Sequence, residues 1–172
     1  MNETIANAIA DSSAREAAIW LLRTVPGLPP ISQAIHILGV AAVMGSAVMI
    51  DLKLLGVALP RQRLDEMVRR LMPWTFWALA VNVLTGLPFV LARPHRYFLN
   101  PVFGWKMAFL APAVVLAVVV WAMNRRENGF WSLTSARRWT GRVLAAASLV
   151  GWIGVVMAGR WIAYSDYLFW PE

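Results

Sequence analysis

Cysteine is absent from the chain, histidine occurs only twice, and no Asp or Glu lies deep in its second, third or fourth long apolar stretch. Without thiols there is neither a disulfide nor a thiolate metal site, and the redox compartment leaves no mark on the composition. There is also no G-x-S-x-G, no H-E-x-x-H, no phosphate loop and no carboxylate pair within an apolar stretch. The nucleophile, the zinc-activated water and the phosphate cradle of common hydrolytic enzymes are therefore missing, and no catalytic residue is assigned.

What is abundant points to lipid. Of 172 residues, 59% are hydrophobic and only 15% charged, far more apolar than a soluble domain. Ten Trp fit the same setting, because an indole suits the headgroup boundary, where one side is apolar and the other wet. A net charge of +7 would draw nucleic acid if it formed one basic face. The Arg residues instead stand in short clusters between apolar runs, as topology signals do, so no nucleic-acid partner is expected.

Four stretches, Ile31 to Leu59, Leu71 to Ala92, Val102 to Met123 and Val143 to Tyr164, have the length of about 20 helical residues that crosses a hydrocarbon core. Pro73, Pro88 and Pro112 fall within or beside them and predict kinks near Pro88 and Pro112. Ahead of the first stretch, Ser13 and Glu16 form a capping-box pattern before AAIWLLRTV, and Pro26, Pro29 and Pro30 then break the chain. That predicts a short helix lying on the membrane surface. No long apolar core precedes a small-residue cleavage site, so this segment is expected to stay on the mature protein. The expected fold is all-α: an N-terminal interfacial segment over residues 1–30, then a four-transmembrane-helix bundle over residues 31–172.

Lys53, Arg61, Arg63, Arg69 and Arg70 crowd the first loop between spans, and Arg125, Arg126, Arg137, Arg138 and Arg142 the third. The positive-inside rule places both loops in the cytoplasm of a bacterial inner membrane and both termini on the outer side.

The stretch QAIHILGVAAVMGSAVMIDLKLLG, residues 33–56, nevertheless carries His36, Asp51 and Lys53. At about 100° per residue, His36, Val40, Val43, Ala47, Ile50 and Leu54 share a face, which a polar group should turn into the bundle. A fifteen-residue gap puts His36 and Asp51 roughly 22 Å apart along the helix, near opposite surfaces. Asp51 is expected to pair with Lys53, Arg70 or Arg142.

His36 has two readings. It either hydrogen-bonds Ser32, Ser46 or a neighbouring helix, or it ligates a haem or metal, with Gly39 one turn on leaving room for a flat macrocycle. The second imidazole, His95, lies in ARPHRYFLNPVFGWK toward the same surface, along with Arg93, Arg96, Lys106 and Arg160, cations that suit haem propionates. Trp105, Trp161 and Tyr97 are placed to pack a porphyrin edge. The resulting candidate is a single haem b held by His36 and His95, with Gly39, Arg96 and Arg160 beside it. A copper site would use the same two His with Met44, Met49, Met107, Met123 and Met157. Ala41 with Gly45, and Gly154 with Ala158, have the small-x-x-x-small spacing of close helix contacts, within the bundle or in a homo-oligomer.

Four elements carry a resemblance: a His early in the first span, D-L-K-L-L-G at its end, T-G in the second span, and the N-x-x-F-x-x-K run of Asn100, Phe103 and Lys106 entering the third. Over Ile35 to Met123 the chain resembles a family of small uncharacterised bacterial integral-membrane proteins, and more loosely the copper-resistance D-type and b-type cytochrome-like four-helix proteins. The resemblance implies the four-helix fold. The dihaem cytochromes need four helical His ligands where this chain has two His in all, so the resemblance assigns no activity.

Electron transfer near the outer face, with a quinone or a redox partner protein, is the function these residues predict. The competing expectations are a non-catalytic accessory or scaffold subunit of a larger membrane complex, and a copper-handling membrane protein.

Overall fold

A computed structural model of the chain describes residues 2–127 and 129–165. Seven α-helices make up nearly all of it: α1 (Asn2–Ala10), α2 (Ser13–Thr24), α3 (Leu28–Leu55), α4 (Leu64–Ala92), α5 (Pro94–Phe98), α6 (Pro101–Arg126) and α7 (Ser135–Trp161). Four of them, α3, α4, α6 and α7 with its 3-10 extension to Tyr164, are long and apolar enough to cross a membrane. The chain is a multi-pass membrane protein built as a helical bundle. Residues 166–172 of the expected bundle domain lie outside the described residues.

The N-terminal segment holds two helices where the sequence predicts one. The cap of α2 is Ser12 rather than Ser13: its Oγ accepts from Arg15 N at 3.4 Å while its hydroxyl donates to Ile9 O. Nor do Pro29 and Pro30 break the chain. They sit in the first turn of α3, where a missing N–H costs nothing, and the break falls at Gly27, whose φ of 73° needs a residue without Cβ.

Within the bundle α3 packs on α4 and α7, and α6 packs on α7. The α3 face predicted from periodicity does turn inward: Val43, Ala47, Ile50 and Leu54 are buried, with Val68 and Met72 of α4, Ala113, Ala117 and Val120 of α6, and Ala145 and Trp152 of α7. Trp20, Trp74, Trp77, Trp105 and Trp139 are well exposed, as interfacial anchors should be.

The two small-residue pairs divide. A Cβ on Gly154 would come within 2.6 Å of the Phe109 ring, and one on Gly151 within 3.1 Å of Ala113, so α7 meets α6 through glycine. Gly45 has nothing within 4 Å of that position. The Ala41 and Gly45 pair is thus exposed on the bundle's outer surface.

Polar rungs join α3 to α4 at one antiparallel register. Ser46 Oγ and Thr75 Oγ1 lie 2.7 Å apart, and toward the other end His36 meets Thr85 and Gly39 meets Asn82. Helices α1, α2 and α5 pack over that second end, α2 against α4 and α1 against α5, and close it off as a cap. At the opposite end α4 and α6 touch through an edge-on pair, Phe76 and Trp121, with ring centroids 5.5 Å apart. Elsewhere these two helices make little contact. Their separation toward the capped end opens the interior.

Candidate functional site

Toward the capped end of α4, Asn82, Thr85 and Gly86 have a spacing that places them on one helical face. The constant register sets that face against His36 and Gly39 of α3. Thr85 Oγ1 donates to Val81 O at 2.7 Å, which uses its only proton. At 2.9 Å from the same oxygen, His36 Nδ1 must therefore be the donor. That assigns the Nδ1–H tautomer from the hydrogen-bond network and leaves the Nε2 lone pair for a ligand.

Gly86 provides the space this ring occupies. A Cβ there would lie 3.2 Å from His36 Cε1. Gly39 acts differently from the expectation. The room beside it is taken by the Asn82 amide, whose Nδ2 donates to His36 O at 2.9 Å and whose Oδ1 accepts from Val40 N at 3.3 Å, an orientation assigned from the partners. No macrocycle can use that space.

His36 lines two adjoining cavities. One, of about 910 Å³, is a vestibule under the cap, walled by α2, α3, α4, α5 and α6, with Gly159 of α7 and its 3-10 extension. Arg15, Arg23, Arg93, Arg96 and Lys106 all line it, and no acidic residue does among the described residues. Arg23, Arg93 and Lys106 make no ion pair among the described residues, and Arg15 Nε is buried without a partner. A lining that holds Arg15, Arg23, Arg93 and Lys106 favours an anion. The second cavity, of about 320 Å³, continues from His36, Gly86, Val90, Phe103 and Lys106 into an apolar space between α4 and α6. Its size and that of the vestibule fall in the range of small-molecule and cofactor sites.

The expected ligand pair is not assembled. His95 Nε2 lies 2.9 Å from Asn7 Oδ1 of α1, on the exposed side of α5, and His95 does not line the vestibule. The loop that carries His95 forms the short helix α5, which turns it out against α1. Arg160 is likewise engaged elsewhere, donating to Tyr164 OH at 2.9 Å. Of the cations predicted beside a cofactor, Arg93, Arg96 and Lys106 line the vestibule and Arg160 does not. Of the three aromatic residues predicted to pack a porphyrin edge, Tyr97 lines it and Trp105 and Trp161 do not. Among the described residues no three His, Cys, Asp or Glu side chains gather as a metal site.

Asp51, at the far end of α3, has none of its expected basic partners. Lys53 Nζ donates to Leu59 O at 2.7 Å, Arg70 pairs with Glu66 at 2.6 Å, and the Arg142 guanidinium lies over Trp139. Ser148 of α7 offers a hydrogen bond, while Asp51 Oδ2 is buried with no partner.

A family model, described as a family of unknown function (DUF6644), matches residues 22–165. The chain belongs to this family. No curated protein and no solved structure matches it, so the looser likeness to copper-resistance and cytochrome-like proteins rests on the residues alone. The matched segment begins inside α2 and takes in all four long helices. Three of the four sequence elements of the resemblance meet at the vestibule: His36, Thr85 with Gly86, and Phe103 with Lys106. The third member of the N-x-x-F-x-x-K run, Asn100, caps α6 through Val102 N and donates to Ser165 Oγ at 2.7 Å.

Proposed function

We propose that the chain is a membrane haem b protein in which His36 is the only axial ligand that the protein supplies. The observation that carries this is the His36 imidazole, its Nδ1–H held on Thr85, set where a vestibule lined by Arg15, Arg23, Arg93 and Lys106 meets an apolar cavity. A bare metal ion needs several protein donors, and among the described residues no three His, Cys, Asp or Glu side chains gather to supply them. A haem brings four nitrogens of its own and asks for one imidazole, an apolar wall and cations for its propionates. That donor set favours haem over copper.

His36 would hold the iron through Nε2, and Thr85 would fix the ring, the usual second partner of a ligating imidazole. Arg15, Arg23, Arg93 and Arg96 would take the propionates, with Lys106 at the junction of the two cavities. When bound, the haem would supply one-electron carriage. The protein's part is to orient it, exclude water from its buried edge and hold its carboxylates at the capped end. The positive-inside rule turns that end outward, toward partners outside the cell membrane of a bacterium.

The test is a reduced-minus-oxidised visible spectrum of the full chain, purified in mild detergent from cells given iron and haem precursor. Soret and α-band changes are expected, abolished by His36→Ala and retained in His95→Ala. Absence of bands in the unaltered protein, together with no 1:1 response to added hemin, would sink the proposal. A stable partner co-purifying with such colourless protein would favour an accessory subunit instead.

A further inference from the structure

The apolar cavity between α4 and α6 has properties that the cationic vestibule does not share. Its walls come from Leu79, Val83 and Leu87 of α4, Met107 and Leu110 of α6, and Trp152 of α7. Val83 is 61% exposed, Leu87 46% and Met107 38%, so these walls run out onto the bundle's lipid-facing surface. The cavity thus opens sideways, in the half of the membrane nearest the cap, where α4 and α6 part.

Trp152 is the anomaly within it. Only 2% of this residue is exposed, yet its Nε1–H has no hydrogen-bond partner. Buried indole donors are normally satisfied, and this orphan belongs to a residue that lines the cavity. The other polar groups on the lining are Asn82, already engaged with α3, and His36 and Lys106 at the junction with the vestibule.

We propose that this cavity binds an isoprenoid quinone that enters from the bilayer between α4 and α6. A quinone head is flat and uncharged and carries carbonyl acceptors, one for Trp152 Nε1–H and one for the Lys106 side of the cavity. Its apolar tail can leave through the gap flanked by Val83 and Met107. A phospholipid phosphate would instead need the arginine cluster, which lines the vestibule and not this cavity. As the electron partner of a haem the quinone rests on the reading above, whereas its binding here does not.

The experiment titrates decylubiquinone into the purified full chain in dodecyl maltoside, with protein-free micelles as the control for partitioning. Saturable 1:1 binding is expected. Trp152→Phe, which keeps the ring and removes the N–H, should weaken it about five- to tenfold. Val83→Phe, a plug at an exposed wall position that leaves the core untouched, should weaken it at least as much. Uptake no greater than that of micelles, an isotherm unchanged in both variants, or displacement by equimolar dihexanoyl phosphatidylglycerol would overturn the proposal. Quinone binding by protein that shows no bands and no response to added hemin would leave this site standing and sink the haem. A Soret band without quinone binding would do the reverse.

Discussion

His36 and Thr85 lock one another across the α3–α4 interface. The imidazole Nδ1–H donates over 2.9 Å to a hydroxyl oxygen whose own proton is spent on Val81 O. Removing the hydroxyl with Thr85→Val keeps the volume and frees the ring to change tautomer and orientation. Loss of such an outer partner costs a ligating histidine about 10- to 100-fold in affinity. Hemin titration of the purified variant should show that loss with the helical circular dichroism unchanged. Wild-type affinity in Thr85→Val would mean that the hydroxyl does not set the ring.

Glycine at position 39 serves Asn82, and this separates it from glycine at position 45. A Cβ at 39 would strike the amide that bridges His36 O and Val40 N, whereas one at 45 meets nothing within 4 Å. Gly39→Ala should therefore destabilise by about 1–3 kcal/mol, as overpacking does. Gly45→Ala should be neutral or stabilising by up to about 1 kcal/mol, since it removes only backbone freedom. Thermal unfolding in detergent, followed by circular dichroism, measures both. Equal midpoints for the two variants would contradict the packing at Gly39.

The contrast between these residues also explains which features were legible in the sequence. The four spans were, because length and hydropathy alone specify them. So was the inward face of α3, which needs only a 100° period. His36 stood out because imidazole is rare in lipid, and Lys106 and Arg93 because cations are. The role of Thr85 was not legible: T-G is visible as a motif, but its meaning depends on the α3–α4 register, a long-range property. His95 was misplaced because its partner, Asn7, lies 88 residues away and α5 turns it outward. Trp152 was hidden for another reason. Among ten Trp, nothing in the sequence separates one buried indole from the interfacial belt.

Vestibule cations should act as a group from which Arg160 is excluded. Arg23 and Arg93 line the cavity without acidic partners, while Arg160 is turned to Tyr164 and lies outside it. The double replacement Arg23→Gln with Arg93→Gln should weaken hemin binding about tenfold or more, the scale of losing charge-assisted hydrogen bonds. It should also flatten the dependence of binding on salt, because fewer exposed charges are left to screen. Arg160→Gln should change neither. If Arg160→Gln proved the more damaging, the anionic groups would lie elsewhere than in the vestibule.

Asp51 presents the reverse situation, an acid without a base. Its carboxylate is 4% exposed, one oxygen has no partner, and Lys53, Arg70 and Arg142 are all committed to other groups. An unsatisfied buried oxygen is a standing cost, and an ionised one costs more. Asn fills the same space, keeps an acceptor for Ser148 and carries no charge. Asp51→Asn should therefore raise stability by removing the buried charge, while its NH2 takes the place of the unpartnered oxygen. Asp51→Leu overfills the space and strands the Ser148 hydroxyl, and so should gain less. Thermal midpoints of the two variants in detergent give the order directly. A fall of several degrees in Asp51→Asn would show that the carboxylate has a partner in the membrane which the bundle itself does not provide.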